Sequence, residues 1–142
     1  MEQQLLVLLL PQPLERFQLE AQARELLRAR GVVAVDPARL PLARFPVGLA
    51  AGLALSQAKR MRLPGTPAAV AIFHPLQFLL GGALLARHPT AELWYGEPEP
   101  EAREGLEELH LAAAERAALT FTVTPDLDIT TLRLRMVELG IV

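Results

Sequence analysis

Residues 68–95 read AAVAIFHPLQFLLGGALLARHPTAELWY, and the fold class can be inferred from their pattern. Ala68–Phe73 is continuously apolar, as are strands that are covered on both faces of a parallel sheet. Leu76–Arg87 has the length of a helix, and Ala91–Tyr95 is a second short strand. A helix is the usual connection between two parallel strands. The stretch therefore predicts a β-α-β unit.

The same alternation continues in both directions along the chain. The other predicted strands are Leu5–Leu10, Val32–Val35 and Leu119–Val123, and the other predicted helices are Leu14–Arg30, Pro46–Met61, Pro100–Ala118 and Ile129–Leu139. Regular alternation of strands and helices favours right-handed crossovers and one sheet. We therefore predict a single Rossmann-like α/β domain over residues 1–142, in which helices flank both faces of an open five-stranded parallel sheet.

The composition narrows the class of protein. The chain has 142 residues, the length of about one domain, with 51% hydrophobic residues, 21% charged residues and a mean hydropathy of +0.26. These values exclude intrinsic disorder. The absence of Cys excludes disulfides and thiolate metal sites, and the three His residues are too scattered to suggest a metal site. No metal ion is expected.

Two segments bear on where the protein resides. The chain begins Met1-Glu2-Gln3-Gln4 and so lacks the basic start of a secretory signal. Residues 67–86 contain no charged side chain, but His74, Pro75 and Gln77 interrupt them, as where a buried strand gives way to a helix. We expect a cytoplasmic protein whose association with membranes is at most peripheral.

Charge is divided unevenly along the chain. Residues 1–90 have ten basic and five acidic side chains, whereas residues 91–142 have four basic and eleven acidic ones. The only tight basic cluster is Lys59, Arg60 and Arg62, which suits either the negative end of a helix dipole or a patch for phosphate or lipid. A duplex-binding surface needs more basic residues on one face. Nucleic acid is therefore not an expected partner.

Candidate site residues follow from a rule for open α/β sheets, which bind ligands beyond the carboxyl ends of their strands. These candidates are Gln12 after the first strand, His74 and Gln77 after the third, Tyr95 and Glu97 after the fourth, and Thr124 after the fifth. The first turn, Pro11-Gln12-Pro13, lacks the glycines that let backbone N–H groups approach a pyrophosphate. We therefore expect no NAD, FAD or ATP, and no other cofactor.

His74 is the candidate catalytic residue, because an imidazole beyond the carboxyl end of a strand can act as a general base toward a hydroxyl group. Its alternative role is structural, with the ring bonded to neighbouring backbone. Tyr95 and Trp94 present a similar choice between a stacking wall for a sugar and packing in the core. Glu97 forms either a pair of carboxylates with Glu99 or part of a solvated turn.

A family resemblance rests on the order of motifs between residues 68 and 128. Phe73-His74-Pro75 closes one strand, and Leu93-Trp94-Tyr95 closes the next. An acidic helix then leads into residues 113–124, AAERAALTFTVT, whose strand ends on Thr124. This order resembles the N-terminal, acceptor-binding domain of GT-B glycosyltransferases.

The resemblance implies that the chain is the acceptor half of a two-domain transferase and binds a sugar or lipid-linked acceptor. The donor half, which holds the nucleotide sugar, would begin where this chain stops, so catalysis by the chain alone is not expected. The first turn departs from the family, which often has a glycine-containing loop where Pro11-Gln12-Pro13 stands, and Gly96 intervenes before Glu97.

The alternative function is a non-catalytic structural or interaction module that associates with itself or with a partner. Gly48 and Gly52 are four residues apart in a helix that is apolar nearly all round, so this face could pack closely on a neighbour. The same two glycines also suit a tight contact between helix and sheet inside the domain. Self-association through this helix would make the protein a homo-oligomer.

Overall fold

The computed structural model describes residues 4–9, 31–35, 47–98, 100–122 and 129–141. Within these ranges the strands are β1 (Gln4–Leu9), β2 (Val32–Val35), β3 (Thr66–Ile72), β4 (Glu92–Glu97) and β5 (Leu119–Thr122). The helices are α1 (Val47–Arg60), α2 (Phe78–Arg87), α3 (Glu107–Arg116) and α4 (Ile129–Glu138), and two short 3-10 turns occupy Pro75–Gln77 and Pro100–Arg103. The predicted helix Leu14–Arg30 lies outside the described residues.

The five strands form one sheet in the order β2-β1-β3-β4-β5, and every neighbouring pair is parallel. This confirms the predicted open parallel sheet of a Rossmann-like α/β fold. The chain adds β2 on one side of β1, and then β3, β4 and β5 on the other side. The order therefore reverses between β1 and β3, which is where open α/β sheets form a crevice for a ligand.

Alternate residues of the strands build two cores, one on each face of the sheet. Val7 and Leu9 of β1 pack with buried residues of α1, α2 and α3, which form the α1–α3 face. Leu6 and Leu8 pack on the opposite side with residues of α4, which covers the α4 face. The strands are continuously apolar because both faces are covered. Helices on both faces are thus confirmed.

One predicted helix is divided in the structure. Instead of a continuous helix over Pro100–Ala118, a 3-10 turn ends at Arg103 and α3 begins at Glu107. Gly105 lies between them with a φ of 79°, a left-handed conformation that interrupts a helix and that glycine adopts without strain.

The end of β4 also differs from the prediction. The predicted strand stops at Tyr95, but Gly96 and Glu97 continue β4 and pair with Phe121 and Thr122 of β5. Pairing with β5 holds these two residues in the strand, although Gly and Glu do not by themselves favour a strand. Glu97 is half-buried at the carboxyl end of the strand, so the expectation of a solvated turn is wrong for this residue.

The glycine that permits a close contact between helix and sheet is Gly81 rather than Gly52. A Cβ atom added to Gly52 would have no heavy atom within 4 Å, so the predicted tight packing on the sheet is wrong at this residue. A Cβ atom added to Gly81 of α2 would lie 3.0 Å from Cγ2 of Ile72 in β3. The close approach occurs one helix later in the chain.

The uncharged segment 67–86 is divided among β3, the turn Pro75–Gln77 and α2. Among the helices that the structure describes, none combines the length and the apolar character needed to cross a bilayer.

Candidate functional site

The carboxyl ends of β3 and β4 lie side by side, where the sequence predicts the site. Ile72 at the end of β3 pairs with Tyr95 of β4, and β4 continues to Glu97. After β3 the chain passes through His74 into the turn Pro75–Gln77, which contacts α3. This edge carries four of the predicted site residues: His74, Gln77, Tyr95 and Glu97.

His74 caps the turn that follows β3. Its backbone is extended, with φ −154° and ψ 144°, and its Nδ1 accepts a hydrogen bond of 3.2 Å from the backbone N–H of Leu76. A ring that accepts at Nδ1 carries its proton at Nε2, the state in which His74 is a hydrogen-bond donor rather than a base. The structural bond to neighbouring backbone is therefore confirmed, and the catalytic role of His74 stays a prediction.

Gln77 closes the same turn from its other end. Its side chain is buried, and its Oε1 accepts a hydrogen bond of 2.7 Å from the backbone N–H of Phe73. With the bond at His74, this contact fixes the path of the chain between the end of β3 and the start of α2. Oε1 of Gln77 is therefore engaged within the turn.

Tyr95 belongs to a hydrogen-bonded group that sequence analysis missed, the Arg103–His110–Tyr95 chain. The phenolic oxygen of Tyr95 lies 2.8 Å from Nδ1 of His110 on α3, and Nη1 of Arg103 lies 2.8 Å from Nε2 of the same ring. The guanidinium group can only donate, so Nε2 accepts and the proton of the neutral ring lies on Nδ1. His110 therefore donates from Nδ1 to the oxygen of Tyr95.

The environment of Tyr95 keeps its phenol protonated. Burial raises the pKa of Tyr95 to about 12, the negative charge of Glu97 adds to the increase, and Arg103 opposes it. The side chain is 0% exposed, whereas Arg103 and Glu97 are half-buried. A ligand at this edge would therefore meet Arg103 and Glu97 rather than the phenol itself.

Trp94 and Tyr95 do not form a stacking wall. Both are fully buried, and they point to opposite sides of the sheet, with Tyr95 in the core of the α1–α3 face and Trp94 in that of the α4 face. The indole N–H of Trp94 donates to Glu92 at 3.0 Å, at the amino end of β4. Core packing, the alternative considered for both rings, is the arrangement found.

The sequence contains a signal for His110 but none for Arg103. On α3, His110 precedes Ala113 and Ala114 by three and four residues, and both alanines pack against the core. One polar side chain on an apolar helix face indicates a hydrogen-bond partner beneath it. The break at Gly105 removes the helical spacing that would have related Arg103 to His110.

Two candidates cannot be placed at this edge. Gln12 and Thr124, which follow β1 and β5 in the chain, lie outside the described residues. Across the described part of the chain, no group of three His, Asp or Glu side chains is arranged to hold a metal ion.

Comparison with known proteins adds no relative. No protein-family model matches the chain, and neither curated proteins nor solved structures give a significant match. The geometry of the carboxyl edge and the order of its motifs are therefore the basis for a functional assignment.

Proposed function

We propose that the chain is an acceptor-binding domain of the GT-B glycosyltransferase type, which binds a hydroxyl-bearing acceptor such as a sugar at the carboxyl edge of β3 and β4. The observation that carries the proposal is the position of His74. This residue begins the turn directly after β3, beside the reversal of strand order between β1 and β3. Ligand crevices of open α/β sheets lie at this point.

The side chains at this edge suit hydroxyl groups. They include the imidazole of His74, the amide of Gln77 and the carboxylate of Glu97, and a sugar hydroxyl can both donate to and accept from such groups. Among the described side chains at this edge there is one cation, Arg103, and its Nη1 is bonded to His110. A nucleotide sugar needs several backbone N–H groups or cations for its pyrophosphate. In this proposal the donor therefore binds to a second domain.

His74 orients the acceptor by hydrogen bonding in this proposal. A general base must present an unprotonated ring nitrogen to the hydroxyl group, and Nδ1 of His74 already accepts from Leu76. Base catalysis would require the ring to give up that bond and carry its proton on Nδ1, so that Nε2 becomes the acceptor. The capping role and the ligand-binding role can therefore be separated by the choice of replacement.

His74→Asn and His74→Ala make that separation. Asn is a favourable first residue of a helical turn, so we expect His74→Asn to keep an acceptor for Leu76 and to fold, whereas His74→Ala loses it. Methyl glycosides titrated into 15N-labelled protein should shift the amide resonances of His74, Leu76, Gln77, Gly96 and Glu97 in the wild type, and should leave those of Leu76, Gln77, Gly96 and Glu97 in place in His74→Asn.

Inorganic pyrophosphate, which has the charged group of a nucleotide sugar without its hydroxyl groups, is the control for this titration and should leave the same resonances in place. Trp94 fluorescence is unsuited to the purpose, because the indole is buried on the opposite side of the sheet. The proposal fails if no glycoside perturbs these resonances at millimolar concentration, or if His74→Asn responds as the wild type does.

A further inference from the structure

Helix α1 has an exposed apolar surface. Leu49, Leu53 and Leu55 are 62%, 38% and 54% exposed, whereas Ala54 and Ala58 of the same helix are buried in the core. We call the three exposed side chains the leucine face. At about 100° per residue, Leu49 lies opposite the buried alanines, and Leu53 and Leu55 lie on the two flanks of this exposed side, about 160° apart around the helix axis.

A cluster of cations adjoins the leucine face. Lys59 and Arg60 end α1, Arg62 follows them, and Arg87 ends α2, which packs beside α1 on the same side of the sheet; all four are exposed. Both helices connect parallel strands and run from the carboxyl to the amino edge, so the four cations lie at the same end. Residues 47–91 contain no Asp or Glu, so this segment supplies no acidic side chain to offset them.

The size of the leucine face favours a lipid surface over a second protein. Its three side chains expose roughly 300 Å², whereas each partner in a stable protein interface buries about 800 Å². A bilayer surface requires no such area, because a helix lying in its plane inserts a few apolar side chains while nearby cations attract anionic headgroups.

We propose that α1 attaches the protein to an anionic lipid surface, with the leucine face inserted and the four cations at the ends of α1 and α2 on the headgroups. Apolar and cationic groups lie on the same pair of helices, so one orientation of the protein uses both. The inference rests on α1 and α2 alone and does not depend on the acceptor-binding function.

Sedimentation with lipid vesicles tests the attachment in the 142-residue chain. We expect the protein to sediment with vesicles that contain phosphatidylglycerol and to remain in solution with pure phosphatidylcholine. Added salt should release it, because salt screens the attraction between exposed charges. Equal binding to both kinds of vesicle, or no binding to either, would overturn the proposal.

The cations are tested by the triple variant Lys59→Gln/Arg60→Gln/Arg62→Gln. All three side chains are exposed, so the fold should be unchanged in far-UV circular dichroism. The partition coefficient for anionic vesicles should fall about a hundredfold. The control is Arg133→Gln, which neutralises an exposed cation on α4, across the sheet from the cluster, and should have little effect.

The leucine face is tested by Leu49→Ser/Leu53→Ser/Leu55→Ser, which should lower the partition coefficient at least about tenfold. The control Leu134→Ser/Val137→Ser alters comparably exposed apolar side chains on α4, across the sheet, and should leave vesicle binding unchanged. Equal binding by both variants and the wild type would contradict the insertion of this face. A dimer that only the leucine variant dissociates, in a protein that ignores vesicles, would instead assign the face to a second copy.

Discussion

The phenolic oxygen of Tyr95 lies 2.8 Å from Nδ1 of His110, so a residue of β4 is bonded to helix α3 fifteen positions later in the chain. The two rings are tilted at 60° with their centroids 5.6 Å apart. Arg103 bonds the other nitrogen of the imidazole and fixes its tautomer. The contact fastens α3 over the carboxyl end of β4, beside the turn that begins at His74. The Tyr95–His110 bond therefore links the candidate site to α3.

Tyr95 is the only tyrosine, so its pKa can be measured directly from tyrosinate absorbance. Burial raises this pKa from its usual 10.0 to about 12. Folding thus favours the protonated phenol, and its contribution to stability is complete below pH 10 and is lost as the pH rises through about 12. We expect the folded protein to titrate near the higher value and the urea-unfolded chain near the lower one. Titration of the folded protein near its unfolded value would contradict the burial of the phenol.

Two charge substitutions test the causes of this pKa. Glu97→Gln removes a negative charge that disfavours tyrosinate, so the pKa of Tyr95 should fall. Arg103→Gln removes a positive charge that favours tyrosinate, so the pKa should rise. Shifts in the same direction in both variants would show that the charges do not act on the phenol as the structure indicates.

Tyr95→Phe should destabilise the protein by about 1–2 kcal/mol, because Nδ1–H of His110 loses its acceptor in a partly buried place. The double variant Tyr95→Phe/His110→Leu removes both partners and should be more stable than the sum of the single effects allows, with a coupling of about 1 kcal/mol. Urea unfolding of the four proteins completes the cycle. Strictly additive losses would mean that the bond contributes nothing.

A second group of side-chain bonds joins α4 to the amino end of β4. Nε of Arg135 donates to Oε1 of Glu92 at 2.9 Å, a second guanidinium nitrogen bonds Oε2, and Nη1 bonds Glu138 at 2.5 Å. The guanidinium of Arg135 holds the pKa of Glu92 below its usual 4.5, burial opposes this, and the indole N–H of Trp94 strengthens it. The chain has one tryptophan, so its fluorescence reports on this carboxylate.

A lowered pKa contributes stability that is present above the usual value of 4.5 and is lost as the pH falls through the folded-state value. Acid should therefore change Trp94 fluorescence and the free energy of unfolding together, and Glu92→Gln should abolish this part of both. At neutral pH Glu92→Gln should cost about 1 kcal/mol, since a two-point ion pair of partly buried groups is lost. Glu138→Gln, at a more exposed carboxylate, is the control with the smaller loss.

The sheet could be predicted from the sequence because strands that are buried on both faces consist of uninterrupted apolar residues. Leu5–Leu9 and Ala69–Ile72 are buried without interruption, so these strands contain no polar alternation that could be mistaken for another element. The end of β4 could not be predicted in the same way. Glu97 is held in the strand by pairing with β5, and composition carries no information about that neighbour.

The placement of His74 could be predicted, and a bond to neighbouring backbone was one of its two predicted roles, whereas the partner in that bond could not be predicted. A residue that follows a parallel strand must lie at the carboxyl edge, whatever its side chain contacts. The bond from Leu76 depends on the turn that the chain makes next, and the Tyr95–His110 bond depends on how α3 crosses β4. Neither bond can be predicted from spacing along the sequence. For the Tyr95–His110 bond, the break at Gly105 also shifts the start of α3.

Gly81→Ala and Gly82→Ala form a matched pair of adjacent substitutions on α2, and we expect effects of opposite sign. Alanine favours a helix over glycine by about 0.5–1 kcal/mol, and at Gly82 the nearest heavy atom to the new Cβ is Cε1 of Phe78 at 4.0 Å, so this gain should be realised. At Gly81 the new Cβ would lie 3.0 Å from Cγ2 of Ile72, a fully buried β-branched residue that cannot easily change its rotamer. Overpacking of this kind costs about 1–3 kcal/mol and should exceed the helical gain. Urea unfolding decides the matter, and equal stabilisation by both substitutions would show that α2 does not approach β3 as closely as the structure indicates.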